Sequence, residues 1–196
     1  LKIQNLNLDA NVISKIHKNT FKNLKELTDL CLNNNNLNQL DENLFSGLIS
    51  LKKLSLRNNF IFSIHMNCFK ANTKLLEIYL NNNLIQNMNG SIKNLRFLTK
   101  IDLSNLRLRE FSLTDFSNKP SLSDLNLNYN YLDNLKHNSF ILNNLIHLNI
   151  RNFSIEFILG LDFSLLTRLR TLDISYTRIN PTIINKLVQL KNIENL

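Results

Sequence analysis

Leucine-type residues recur along the chain at fixed positions with a period of 23 or 24 residues. A clear unit has apolar residues at Leu27, Leu30, Leu32 and Leu37, with an asparagine at Asn35. Counting the first leucine-type residue as position 1, the units begin at Ile3, Leu27, Leu51, Leu75, Leu98, Leu122, Leu145 and Leu169, and an incomplete ninth begins at Ile193. Such regular spacing excludes chance and predicts a solenoid, in which each turn contacts only its neighbours.

Positions 3 to 7 of each unit alternate between polar and apolar residues, as in residues 77–81. This period of two predicts a short strand with one buried face, and equivalent strands of successive units would pair in parallel. Other positions predict the core. Position 9 is an asparagine suited to a buried ladder of hydrogen bonds to the backbone of adjacent turns, at Asn11, Asn35, Asn59, Asn83 and Asn130.

Position 19 carries a phenylalanine in most units, which predicts an aromatic spine under the return side of each turn. These residues are Phe21, Phe45, Phe69, Phe116, Phe140 and Phe163. A cofactor site is the alternative reading of such a stripe, but a stripe at the repeat period is what a core requires. We therefore expect no cofactor.

The alternating strand residues combine with a Phe-x-x-Leu sequence on the return side of the turn, at a spacing of 24 residues. This combination is a known pattern. Over residues 3–196 this pattern resembles the "typical" class of leucine-rich repeats. The resemblance implies an α/β solenoid, a horseshoe with a parallel concave β-sheet and an irregular or short-helical convex side. Members of the class are mostly extracellular, and include Toll-like receptor ectodomains, small proteoglycans, adhesion proteins and lamprey variable lymphocyte receptors.

The chain departs from the pattern at several positions. Leu106, Phe153 and Thr177 replace the position-9 asparagine, and Ile92 stands where a phenylalanine belongs. Lost ladder bonds leave backbone groups to be satisfied elsewhere, so a change of curvature or of local order is expected beyond about Leu98.

Composition indicates one domain over residues 1–196. Hydrophobic residues make up 43% of the chain, and three glycines and two prolines leave no candidate linker. No apolar run approaches the roughly 20 residues that span a bilayer. Since solenoids normally end in polar or disulfide-bonded caps, we expect a fragment of a longer array. Cys31 and Cys68 fall on opposite sides of the turn and are expected to be free thiols.

The net charge of +8 raises the alternative of an anion sensor for nucleic acid or sulfated glycan. On the exposed strand positions, however, four basic and six acidic residues give a net charge of −2. The positive excess lies on the edges, at Lys15, Lys18, Lys22, Lys25, Arg107 and Arg109. A solubilising rim is the simpler interpretation.

The concave strands present tyrosine and arginine beside charges of both signs, which is typical of protein-recognition surfaces. The candidate protein-binding residues are Lys53, Arg57, Glu77, Tyr79, Lys100, Asp102, Asp124, Tyr129, Arg151 and Tyr176. Tyr79, Tyr129 and Tyr176 are expected to be exposed. Phe60, Phe62 and Tyr131 lie just past the strands, where they either add apolar area to one flank of the surface or are buried under the neighbouring turn, and burial is the expectation.

Other candidate chemistry is sparse. His17, Asp41 and His65 share position 15, but a solvated row lacks the convergent geometry of a metal site, so no metal is expected. Asn89 in Asn-Gly-Ser is a candidate glycosylation site, and Asn152 in Asn-Phe-Ser is a second sequon near the concave surface. No Gly-x-Ser-x-Gly, phosphate-loop or zinc-protease motif occurs, which argues against an enzyme.

The function hypothesis is a non-catalytic protein-binding ectodomain segment of an extracellular receptor or secreted recognition factor, of Toll-like or adhesion type and with a part in innate immunity. An intracellular, cytoplasmic scaffold or regulatory subunit is the first alternative, since the two cysteines are consistent with a reducing compartment. The anion sensor is the second.

Overall fold

The computed structural model describes residues 2–110, 115–116, 118–132 and 143–196, which form a stack of turns with short strands. In chain order the strands are β1 (Asn5–Asn7), β2 (Asp29–Cys31), β3 (Gln39–Leu40), β4 (Lys53–Ser55), β5 (Ser63–Ile64), β6 (Glu77–Tyr79), β7 (Lys100–Asp102), β8 (Asp124–Asn126), β9 (His147–Asn149) and β10 (Thr171–Asp173). Strands β3 and β5 pair on the return side, and the other eight form one sheet in chain order.

All pairs in the large sheet are parallel, and equivalent residues of successive turns lie side by side, as Leu30 does with Leu54. The middle residue of a strand is buried because it points into the core, whereas the residues on either side of it point to the concave surface. The parallel concave sheet and the largely irregular return confirm the predicted horseshoe fold.

The position-9 asparagines form the expected ladder in four turns, at Asn35, Asn59, Asn83 and Asn130. The Asn59 amide donates to the carbonyls of Leu32 and Leu56 at 3.0 and 3.1 Å, and its Oδ1 accepts from the Leu37 N–H at 3.1 Å. The expectation is wrong for Asn11. That residue is exposed, and its side-chain amide donates to the carbonyls of Leu8 and Asp9 in its own turn.

The phenylalanine spine is confirmed in the described residues. Phe45 stacks between Phe21 and Phe69, with ring centroids 6.1 and 5.8 Å apart and nearly parallel planes. Phe116 and Phe163 are buried in later turns. Ile92 is also buried, so an aliphatic side chain fills the place of the missing ring, while Phe140 lies outside the described residues.

Short helices replace the irregular return in the last turns. Helix α1 (Ile155–Gly160) begins after Ser154, whose hydroxyl accepts from the Phe157 N–H. Helix α2 (Pro181–Leu187) begins after Asn180, whose side chain caps the Ile183 N–H. Each cap satisfies a backbone donor that the helix itself cannot. A single 3-10 turn, Phe163–Leu165, lies between the two helices. Across the described ranges, every helix is too short or too polar to cross a bilayer.

The edge aromatics are not buried as expected. Phe60 and Phe62 are each 56% exposed and Tyr131 is 62% exposed. The N–H groups of Phe60 and Phe62 bond to Leu37 and Asn38 of the preceding turn, so the chain there is extended and side chains alternate. Ile61 takes the buried place between the two phenylalanines, and the expectation for all three aromatics is wrong.

Candidate functional site

The charges on the concave sheet alternate from strand to strand. At position 3, adjacent paired strands carry Asp29, Lys53, Glu77, Lys100 and Asp124 in that order. Lys53 and Glu77 form an ion pair of 3.1 Å between Nζ and Oε2. Opposite charges on neighbouring strands stabilise the sheet and neutralise one another. This alternation is visible in the sequence when only the position-3 residues of successive units are compared.

Tyr79 is the centre of a first cluster. Its ring is only 6% exposed, because the Arg57 guanidinium lies over it at 4.1 Å and the Lys53 and Lys100 ammonium groups lie 5.5 and 6.0 Å away. Cations over the face of an aromatic ring are attracted by its quadrupole. The expectation that Tyr79 is exposed is therefore wrong: it is a platform that supports the cations around it.

Hydrogen bonding fixes the protonation of this cluster. The Tyr79 hydroxyl donates to Oε2 of Glu77 at 2.8 Å. Burial and this bond raise the pKa of Tyr79 to about 12. Burial alone would raise the pKa of Glu77, but the bonds from Tyr79 and Lys53 outweigh it and the pKa is lowered. The tyrosine thus stays a donor and the glutamate an anion throughout the neutral range.

A second cluster lies four turns further along. The Arg151 guanidinium is 4.6 Å from the Tyr176 ring centre and 6.0 Å from that of Tyr129. Both tyrosines are exposed, at 73% and 45%, as expected. Asp173 lies nearby: burial favours its neutral form, but hydrogen bonds from Ser175 and the charge of Arg151 lower its pKa. This cluster offers aromatic surface directly to a partner.

The two arginines are held in the same way. The backbone N–H of Arg57 donates to Oδ1 of Asn33 at 2.8 Å, and that of Arg151 donates to Oδ1 of Asn128 at 2.9 Å. In both, Nε is buried and has no hydrogen-bond partner among the described residues. Each arginine is therefore positioned by an asparagine from the preceding turn, a pairing that we had not predicted.

An open groove of about 830 Å³ runs along the concave sheet from the first cluster. Arg57 and Tyr79 lie at one end, and the groove passes Asp173 and Ser175 to reach Asn195 and Leu196 at the other. Its walls carry further polar and charged residues, including Lys100, Asp102, Asp124, Asn126, His147 and Asn149. His147 and Thr171 share a hydrogen bond across neighbouring strands. Five of the ten candidate residues border this groove: Arg57, Tyr79, Lys100, Asp102 and Asp124. The other five do not: Lys53, Glu77, Tyr129, Arg151 and Tyr176.

Other candidate chemistry stays apart from the groove. In the parts of the chain that are described, no three His, Cys, Asp or Glu side chains converge on a point. Of the position-15 residues, Asp41 accepts from Gln39 and His65 accepts from the Asn67 N–H. Cys31 and Cys68 are both free, and burial raises the pKa of each thiol, so neither is activated as a nucleophile.

Comparison with solved structures gives the same fold. The leucine-rich repeat domain of APL1B is 22% identical, with a TM-score of 0.75 over 98% of this chain and 62% of that one. A leucine-rich-repeat protein of Leptospira interrogans is 25% identical, with a TM-score of 0.80 over 98% of this chain and 49% of that one. A chain of the Drosophila Toll–Spatzle complex is 20% identical, with a TM-score of 0.73 over 99% and 27%.

This chain therefore spans less than two thirds of the length of each of these three relatives. No curated protein matches the sequence. The family model for the leucine rich repeat matches residues 2–59, 49–108 and 120–179, and domains of this kind generally bind proteins rather than catalyse reactions. Because these matches cover most of the chain and coincide with the parallel strands, the chain belongs to the leucine-rich repeat family.

Proposed function

We propose that the chain is a non-catalytic, protein-binding segment of an extracellular receptor or secreted recognition factor, of Toll-like or adhesion type. The observation that carries this proposal is the pair of arginine–tyrosine clusters, of which the first, with Arg57 and Tyr79, borders the concave groove. The contact residues would be Lys53, Arg57, Glu77, Lys100, Asp102, Asp124, Tyr129, Arg151 and Tyr176, with Tyr79 as support for Arg57.

The dimensions of this surface suit a protein. Neighbouring strands are spaced by roughly 4.8 Å, so the four turns between Arg57 and Arg151 span roughly 19 Å. Tyrosine and arginine are the residue types that most often dominate binding energy at protein interfaces. Side chains already held by hydrogen bonds and ring contacts lose less conformational entropy on binding than free ones.

A partner screen tests the concave surface. The chain would be screened against a panel of secreted and cell-surface proteins, beside a double variant Arg151→Ala with Tyr176→Ala and a control variant Lys22→Ala on the basic edge. We expect a partner that binds the wild type and the control equally and the double variant at least about tenfold more weakly. Equal binding to all three would contradict the proposal.

The extracellular assignment rests on Asn89. This side chain is exposed, in a return turn with φ of +52°, and it is not among the residues that border the groove. Asn152 is exposed too, but it lies between Tyr129 and Tyr176 in the row of equivalent positions, so a glycan there would cover the second cluster. Peptide mass spectrometry of the protein from its native source should show glycan on Asn89. Unmodified Asn89 would favour the intracellular alternative.

A further inference from the structure

A row of asparagines follows the strands on the exposed surface at position 8. The backbone of each lies in the left-handed region, with φ of +54° at Asn34, +54° at Asn58, +59° at Asn82 and +48° at Asn105. Asparagine enters this region more readily than other side chains that carry a Cβ. The turn that ends each strand therefore favours asparagine at this position.

These carboxamides form a second ladder, separate from the buried one. Asn58 donates to Oδ1 of Asn34 at 2.8 Å, Asn82 donates to Asn58 at 2.6 Å, and Asn105 donates to Asn82 at 2.9 Å. Each amide inside the row thus uses one donor and one acceptor on its neighbours. The ladder is exposed, so its free groups face solvent.

Tyr129 interrupts the row. It has the same left-handed backbone, with φ of +54°, and Asn152 resumes the row one turn later with φ of +62°. A bulky side chain is strained in this conformation, whereas an asparagine would adopt it at lower cost and continue the ladder. Since tyrosine takes this place, no donor among the described residues reaches Oδ1 of Asn105, and the ladder ends in an open acceptor.

The open end of the ladder borders a shallow cup of about 530 Å³. Its lining residues are all uncharged: Asn81, Asn82, Ser104, Asn105, Asn128 and Tyr129. The Tyr129 ring is 45% exposed and forms one wall. Asn128 uses its Oδ1 for the Arg151 N–H, while its amide nitrogen has no acceptor among the described residues. The cup thus combines free amide donors and acceptors with an aromatic face.

We propose that this cup binds a neutral sugar residue of a glycan. Vicinal hydroxyls both donate and accept, which matches Oδ1 of Asn105 and the amide of Asn128, and the apolar face of a sugar ring can stack on Tyr129. The lining itself carries no charge, and Arg151, whose guanidinium lies 6.0 Å from the Tyr129 ring centre, is a single basic residue beside it. Sulfated glycan and nucleic acid depend on several basic residues, so this surface does not suit them. This inference is independent of the proposed protein partner, because the cup lies in the turns beyond the strands and shares only Tyr129 with the concave contacts.

Saturation-transfer NMR on the full chain tests the ligand class. The probes are maltotriose, cellotriose, mannotriose, chitotriose and lactose, with a heparin trisaccharide and a neutral peptide as rivals. We expect at least one neutral sugar to bind and, in proton–nitrogen correlation spectra of the labelled chain, to shift the Asn105 and Asn128 side-chain amide signals. Binding of the heparin or peptide probe alone, or of none, would overturn the proposal whatever happens at the concave groove.

Variants of Tyr129 test whether its ring contributes to sugar binding. With Tyr129→Asn, sugar binding should weaken at least about tenfold. The unfolding midpoint should rise by about 2–4 °C, since strain is relieved and the ladder can continue to Asn152. Tyr129→Phe keeps the ring and should bind as the wild type does, and the exposed control Tyr131→Asn should also bind normally. Unchanged sugar binding by Tyr129→Asn, or a lowered unfolding midpoint, would overturn the proposal.

Discussion

Asparagine has two different roles in this chain, at two adjacent positions of the repeat. At position 9 the side chain points inward and satisfies carbonyls of two turns, as in Asn59. At position 8 the backbone is left-handed and the side chain points outward, as in Asn58. The first role is predictable because burial follows the hydrophobic pattern. The second was missed because a positive φ leaves no trace in that pattern, although the 23- or 24-residue recurrence of asparagine was there to be read.

The buried ladder predicts a large effect of Asn59→Leu. The variant leaves the carbonyls of Leu32 and Leu56 and the N–H of Leu37 without their partner, so we expect the free energy of unfolding to fall by about 2–4 kcal/mol. Denaturant unfolding measures the change. The exposed Asn36→Leu serves as control and should lie within about 0.5 kcal/mol of wild type. Equal effects of the two variants would contradict this role for Asn59.

Lys119 is a buried lysine with a structural bond. Its Nζ donates to the Ile92 carbonyl at 2.8 Å, much as the Asn72 amide donates to the Phe45 carbonyl at 2.9 Å in an earlier turn. Burial lowers the pKa of Lys119 to about 8, and the nearby charge of Asp115 opposes that shift only in part. Lys119 therefore loses its proton at a lower pH in the folded chain than in the unfolded chain.

The sign of the pH effect follows from this difference. Between pH 8 and the unfolded pKa of 10.5 the unfolded chain binds more protons, so this lysine makes the free energy of unfolding rise with pH. We expect wild type to gain about 1 kcal/mol relative to Lys119→Met between pH 8.5 and 9.5. Denaturant unfolding of both proteins at the two pH values gives the difference. Parallel pH profiles would show that Lys119 is not the titrating group.

The alternation at positions 3 to 7 is enough to predict every strand of the large sheet. It did not predict the surroundings of individual side chains, because those depend on neighbours from other turns. Tyr79 is buried by Arg57 and two lysines that come from different strands. Phe60 and Phe62 are exposed because the extended chain past the strand also alternates.

Close packing of the return turns depends on Gly47. A Cβ built there would lie 2.4 Å from the Phe21 carbonyl oxygen and 2.6 Å from Cα of Lys22, so the backbone of the preceding turn would have to move. We expect Gly47→Ala to lower the free energy of unfolding by about 1–3 kcal/mol. Thermal or denaturant unfolding tests this expectation, and a variant as stable as wild type would show that the turns are not in such close contact.

The concave sheet is nearly neutral, so the net charge of +8 is carried by other surfaces of the chain. Because charges on the sheet alternate between paired strands, a partner that binds there meets no extended field of one sign. We therefore expect the affinity for a protein partner to change only slightly between about 50 and 200 mM salt. A loss of a thousandfold or more over that range is typical of phosphate contacts and would favour the basic edges instead.

Hydrogen exchange of the chain with and without a partner from the screen locates the surface that the partner covers. A concave site predicts slower amide exchange in β4, in β6 to β10 and in the turns that follow these strands, around Arg57, Arg151 and Tyr176, with no change in residues 15–25 or on the Asn89 turn. Protection confined to residues 15–25 and 107–109, with the concave strands unchanged, would contradict the account.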